Sequence, residues 1–235
     1  MTDLSPDASQ DSLRVLTTPR AAAVAGVLFA LLFGTALVLI RISLPEHPVV
    51  GEQWLERGRE RFHIAAVIMP FAGISFLWFI GVVRDGFGRL EDKFFSSVFI
   101  GSGLLFLAMM FVSSAVGVAL SASDAFITDE AAHAPVVALG QALMTTLTKT
   151  YALRMAAVFM MSLATIWLKT GLMPRWLVFT TYAVVVAMVI AADVSMWITL
   201  AFPAWVLVVS LFVLNRSGVI DLDPRDADPR PSRQT

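Results

Sequence analysis

Apolar residues in this chain gather into long runs broken by short charged or turn-forming stretches. A helix needs about 20 mostly apolar residues to cross ~30 Å of hydrocarbon at 1.5 Å per residue. Ala21–Ile40 meets that length and stops at Arg41, and Ile64–Val83 is closed by Arg84 and Asp85. Phe94–Leu120 is longer than a crossing requires, so it is expected to tilt or protrude. A fourth run, Thr150–Leu168, stops at Lys169; the stretch 136–148 before it is too short to cross alone and either extends that helix or lies on the membrane surface. The last block, Trp176–Leu214, is too long for one crossing. With Asp193 near its middle and Pro203 after it, it divides into Trp176–Ala192 and Trp197–Leu214. Lipid offers no partners to exposed backbone groups, so helices are the economical way to span it. The pattern predicts an all-α, polytopic membrane bundle of about six transmembrane helices over residues 21–214.

The connecting segments suggest an orientation. Short loops rich in Lys and Arg stay in the cytoplasm. With the N-terminus inside, eleven of the basic residues fall inside and six, among them Arg41, Arg57, Arg59, Arg61, Lys149 and Arg154, fall outside or at its edge. The loop 121–134 carries Asp124, Asp129 and Glu130 and no basic residue, which suits the outside. Both termini are therefore expected in the cytoplasm. Residues 1–20 read as a polar cytoplasmic tail, because the apolar run after them exceeds a cleavable signal's core and lacks a small-residue cleavage site. Residues 215–235, with Asp221, Asp223, Pro224, Asp226, Asp228, Pro229 and Pro231, are expected to be disordered. The outer loop 41–63 holds WLERGRERFH, whose Trp54, Gly58 and Phe62 share one helical face; it is expected to lie on the outer surface with its aromatic residues at headgroup depth.

Composition narrows the chemistry. The chain is 57% hydrophobic and 15% charged, against about 45–50% and 25% in soluble domains. A net charge of −1 leaves no basic stripe for nucleic acid. With no cysteine there are no disulfides, thiolate metal sites, iron–sulfur clusters or thiol nucleophiles. His47, His63 and His133 fall near Glu46, Glu52, Glu56, Glu60, Asp129 and Glu130, but their spacing matches no ligand motif, and no metal is assigned. No histidine sits inside a span, so axial ligands for a b-type haem are missing and no cofactor is expected. Gly101-Ser102-Gly103 lacks the Lys-Ser/Thr of a phosphate loop, and helix packing explains it better; Gly73-Ile74-Ser75 has no histidine base in another span.

Two constellations remain. Ala22, Gly26, Ala30 and Gly34 recur every four residues, a small-residue seam that brings backbones together, either within the chain or between copies. Counting back from Lys169 sets Lys149 near the outer interface and Arg154 about 7 Å deeper. Asp193, Tyr151, Ser113, Ser114 and Ser195 fall at similar depth. Arg154 and Asp193, with Tyr151, Lys149, Ser113 and Ser114, could line a solute vestibule or a lipid-headgroup site, or form a structural ion pair.

The stretch FAGISFLWFIGVVRDGFGRLEDKFFSSVFIGSGLLFLAMMFVSS, Phe71–Ser114, and the opening LTTPRAAAVAGVLFALLFG resemble a group of actinobacterial multi-pass membrane proteins of unknown function. The resemblance covers roughly the first half of the chain. It implies a bacterial plasma-membrane location and no assigned activity, and it carries over no functional residue. The expectation is a non-enzymatic accessory or scaffolding subunit of a larger envelope or respiratory assembly, partnered by lipid and by other membrane proteins or itself. The alternative is a small transporter or receptor with an outward vestibule around Arg154 and Asp193.

Overall fold

The computed structural model describes residues 7–45, 53–85, 93–125, 127, 129–171, 173–192 and 195–216. Helix α1 spans Asp7–Ser43, so it starts within the polar stretch before the first span; α2 spans Gln53–Asp85 and α3 Lys93–Ser121. Next come a 3-10 turn, Ser123–Ala125, and α4, Glu130–Thr145, which runs through a π-helical segment, Thr146–Ala152, into α5, Leu153–Thr170. Helix α6 is Arg175–Ala191; a second 3-10 turn, Met196–Leu200, leads into α7, Ala201–Arg216. There is no strand among the described residues. The chain is an all-helical, multi-pass membrane bundle.

Among the described residues, five helices are long and apolar enough to cross a membrane: Ala21–Ser43, Trp54–Arg84, Phe94–Ser121, Ala131–Thr170 and Trp197–Asn215. Helix α6 has 17 residues, about 25 Å, and falls short of that length. The last apolar block is two helices, as its polar middle and Pro203 suggest, with the Ser195 hydroxyl accepting the Trp197 N–H where the second begins. Stretch 136–148 belongs to one continuous helical run with α5. The tail beyond residue 216, and with it the expected disorder, lies outside the described residues.

Chain reversals follow local chemistry. Gly171 ends α5 with φ +67, a left-handed cap that any side chain would strain, and its N–H bonds Trp167 O at 2.9 Å. Pro174, which has no N–H to leave unpaired, then caps α6. These features gather α5's end, α6's start and α3's start at one end of the bundle, where Lys169 Nζ sits 4.4 Å from the Phe95 ring centroid. We call this the Lys169 end. The opposite end holds the last turn of α1, the first turns of α2 and the turn before α7.

The segment WLERGRERFH does not lie flat on a surface. It forms the first turns of α2, with Leu55, Gly58 and Phe62 buried and Trp54 meeting Phe62 edge-on at 6.2 Å. A Cβ on Gly58 would stand 2.8 Å from Ser43 Cβ, so α2 starts tight against the end of α1. The reason is a stripe of buried positions at alternating three- and four-residue steps, Leu55, Gly58, Phe62, Ala65, Met69, Ala72, Phe76 and Phe79, which continues unbroken into the span. A helix whose buried face is continuous has no reason to break at the membrane surface.

Helix α1 packs against α2 and α7, α3 packs between α2 and α5, and α6 lies along α5. Phenylalanines from five of these helices meet at the centre. Phe76 lies 4.5 Å from Phe29, 5.3 Å from Phe159, and 5.8 Å from both Phe106 and Phe202, ring centre to ring centre. These are favourable tilted and edge-to-face pairings. Helix α6 is pinned by polar contacts: the Trp205 indole N–H donates to the Thr181 hydroxyl at 3.0 Å, and Thr165 and Tyr182 share a hydrogen bond of 2.8 Å. Large exposed apolar side chains, such as Phe71, Trp78, Phe179 and Ile190, face outward around the bundle, where lipid would meet them.

Candidate functional site

Arg41 is the most unusual side chain in the structure. It is 5% exposed, and its Nε donates to the Thr199 hydroxyl at 3.4 Å. Its two terminal nitrogens, Nη1 and Nη2, are buried with no hydrogen-bond partner among the described residues. The position is set from two sides. Phe33, Leu37 and Arg41 follow at four-residue steps on one face of α1, and the 3-10 turn Met196–Leu200 brings Thr199 across to that face. A basic residue in the last turn of α1 is favoured by the helix dipole, but only by about 0.3–1 kcal/mol. An unpaired guanidinium costs about 2.5–3.5 kcal/mol at the centre of a span on insertion scales, and less near the span's end, where Arg41 stands.

Next to Thr199 lies a small apolar cavity of about 10 Å³, lined also by Phe33, Leu37, Phe106, Met110, Thr148 and Phe202 but not by Arg41. That is the space one ordered water needs. Thr148 enters from the π-helical segment. The run TTLTKT, residues 145–150, concentrates hydroxyls that compete for carbonyls one turn back. Thr145 Oγ1 donates to Gln141 O at 2.9 Å and Thr148 Oγ1 to Met144 O at 2.5 Å, while the Leu153 N–H reaches five residues back to Thr148 O. The Ser113 hydroxyl makes a long bond of 3.5 Å to the same Met144 carbonyl from α3. Such widened turns concentrate at functional sites.

The residues proposed as a vestibule separate in the structure. Ser113 and Ser114 are buried in the interior face of α3. Arg154 is exposed, and its Nη1 donates to Thr150 O, one turn back on its own helix, at 2.7 Å. Tyr151 is 54% exposed and Lys149 half-buried. Arg154, Lys149 and Tyr151 therefore share the perimeter, and the serines share the core. Asp193 lies outside the described residues.

The seam of α1 is used within the chain. Ala22, Gly26 and Ala30 are buried. A Cβ on Gly26 would collide with the Ser210 hydroxyl of α7 and lie 2.8 Å from the Phe79 ring of α2. Gly34 is half-buried and a Cβ there would meet nothing within 4 Å. Gly103 likewise lets α3 approach Ile80 of α2 and Phe159 of α5, and the Ser102 hydroxyl donates to its own helix at Val98 O. Ser75 does the same at Phe71 O.

Among the histidines, His63 is exposed and lines an open groove of about 690 Å³ with Glu56, Arg59, Glu60 and Ser121. His133 is buried on α4, its Nε2 2.6 Å from the Ser123 hydroxyl. That hydroxyl is also 2.6 Å from Leu120 O, which can only accept. With the serine proton on Leu120, the short contact needs a proton on Nε2, the reverse of an activated nucleophile. His47 lies outside the described residues. Among the described residues no three His, Asp or Glu side chains are grouped to hold a metal.

Arg41, Thr148 and Thr199 were not singled out by sequence. Arg41 reads there as an ordinary stop to the first span. The threonine-rich run 145–150, where the stretch 136–148 meets the fourth apolar run, is the available signal. No family model, curated protein or solved structure matches this chain.

Proposed function

We propose that this chain is a non-enzymatic component of the bacterial plasma membrane, an accessory or scaffolding subunit of a larger envelope or respiratory assembly. One observation carries the reading: the bundle is closed at its centre and decorated at its rim. Phe29, Phe33, Phe76, Phe99, Phe159 and Phe202 are each less than 2% exposed and fill the space where a solute path would run. Ionisable side chains that a partner can reach, Arg154 on α5 and Glu56, Glu60 and His63 on α2, stand on the perimeter. An exposed cation at span depth is usually kept for a partner or a headgroup. Both termini in the cytoplasm would place the Arg41 end and this rim on the outer side.

The test is extraction of the full chain in polymer-bounded native discs, followed by native mass measurement. A complex of fixed stoichiometry that Arg154→Ala with Tyr151→Ala dissociates, without lowering thermal stability, is the expected result. A monomer carrying lipid alone would remove the assembly reading. A small transporter or receptor is the second reading. Its support lies at Arg41, whose buried cation faces inward, rather than at Arg154, which turns outward.

A further inference from the structure

We propose that Arg154 and Lys149, at the π-helical turn between α4 and α5, hold the phosphate of one anionic phospholipid whose acyl chain runs down the exposed side of α5. This goes beyond the assembly reading and stands if that reading fails, since a monomer carrying such a lipid satisfies it. Depth comes first. Lys149 lies 20 residues before Lys169 on one continuous helical run, about 30 Å, which matches the thickness of the hydrocarbon layer. Arg154 starts about 7 Å deeper, but its Nη1 donates to Thr150 O at 2.7 Å, so the side chain turns back towards the level of Lys149. Both charges thus reach the bilayer surface at the Arg41 end, where lipid phosphates lie. The turn sets their direction. Residues five apart stand about 140° apart on an ideal α-helix. Here the Leu153 N–H reaches five residues back to Thr148 O, and the wider turn narrows that angle and brings the two cations towards one face.

Charge selects the ligand class. Among the described residues Lys149 makes no side-chain hydrogen bond or ion pair, and Arg154 makes none beyond Thr150 O. The elements packed most closely on this turn are α3, α4, α5 and the turn Met196–Leu200. Among their described residues the one acid is Glu130, 19 residues before Lys149 on the same run and so about 28 Å away. A phosphate diester answers both cations: its oxygens accept guanidinium N–H groups in pairs and meet the ammonium as a point charge. A zwitterionic headgroup would bring an ammonium as well, with no described carboxylate there to receive it. Tyr151, 54% exposed, is the kind of residue that settles at headgroup depth. Below, Met161 and Leu168, 41% and 46% exposed, follow Arg154 at seven-residue steps on the same face and give the acyl chain an apolar track.

The experiment uses the full chain in phosphatidylcholine bilayers. The chain has no cysteine, so Met161→Cys takes a single fluorescent label beside the proposed acyl track. Leu31→Cys, 57% exposed near the middle of the α1 span, serves as the control. Quenching by brominated acyl chains reports which lipid lies at each label. At Met161, brominated phosphatidylglycerol should be preferred over phosphatidylcholine about twentyfold, and at Leu31 by a factor near one. Phosphatidylethanolamine should match phosphatidylcholine, and millimolar inorganic phosphate should leave the quenching unchanged. Arg154→Gln or Lys149→Gln should each lower the preference about fivefold, and both together should bring it near one. Arg175→Gln, at the Lys169 end, should leave it intact. A preference below about threefold at Met161, an equal preference at Leu31, or displacement by inorganic phosphate overturns the proposal, and none of these depends on an Arg154 or Lys149 variant folding. A preference that survives the double substitution also overturns it. So does non-additive destabilisation by Arg154→Gln and Asp193→Asn, which would mean that the charge is neutralised within the chain.

Discussion

Phe71 and Phe76 sit five residues apart on α2 and should respond oppositely to the same truncation. Phe76 is fully buried and touches the rings of Phe29, Phe159, Phe106 and Phe202 at 4.5–5.8 Å; Phe71 is 60% exposed on the side facing lipid. In a water-soluble core Phe→Ala costs about 3–5 kcal/mol, part of it transfer of the ring out of water and part the cavity left behind. A membrane helix separated from its bundle still sits in hydrocarbon, so the transfer share is largely lost. What remains is the unfilled space and the ring pairings, each about 0.5–1.5 kcal/mol and not additive. Phe76→Ala should therefore cost about 2–3 kcal/mol, and Phe76→Leu about 1. At Phe71, acyl chains refill the gap, so Phe71→Ala should stay within about 0.5 kcal/mol of the unaltered protein. Alanine's better helix propensity applies to both and cancels in the comparison. Unfolding by sodium dodecyl sulfate in mixed micelles, read by tryptophan fluorescence, measures both. Equal losses at the two sites, or a Phe76→Ala loss under 0.5 kcal/mol, would refute the packing argument.

Gly26→Ala should lower stability by about 1–3 kcal/mol, since its Cβ meets Ser210 and Phe79, whereas Gly34→Ala should be neutral or slightly stabilising; the same unfolding assay separates them. Arg154→Ala should leave stability within about 0.5 kcal/mol, because the side chain is exposed and bonds its own helix; a loss comparable to that of Phe76→Ala would show that it turns inward. A reporter active only in the cytoplasm should work when fused after Arg89 and be silent between Ser121 and Ala134, and the reverse pattern would invert the proposed orientation.

Much of the architecture is legible in the sequence. Run lengths near 20 apolar residues, with charges closing them, are enough to mark helices that cross lipid, because backbone polar groups have no other partner there. The break between α6 and α7 was legible too, since an acid and a proline in a long apolar block leave few alternatives. Side-chain direction was not. In lipid both faces of a span are apolar, so hydropathy does not distinguish Phe76, at the centre of the bundle, from Phe71, at its edge. The same blindness grouped Arg154 with Ser113 and Ser114 by depth along the helices, although helical rotation sends the arginine outward and the serines inward. It also passed over Arg41, which looks like any charge at the end of a span until the turn before α7 folds Thr199 over it. Depth follows from counting residues. Which neighbours meet at that depth depends on how the helices rotate and lean, and only their packing decides that.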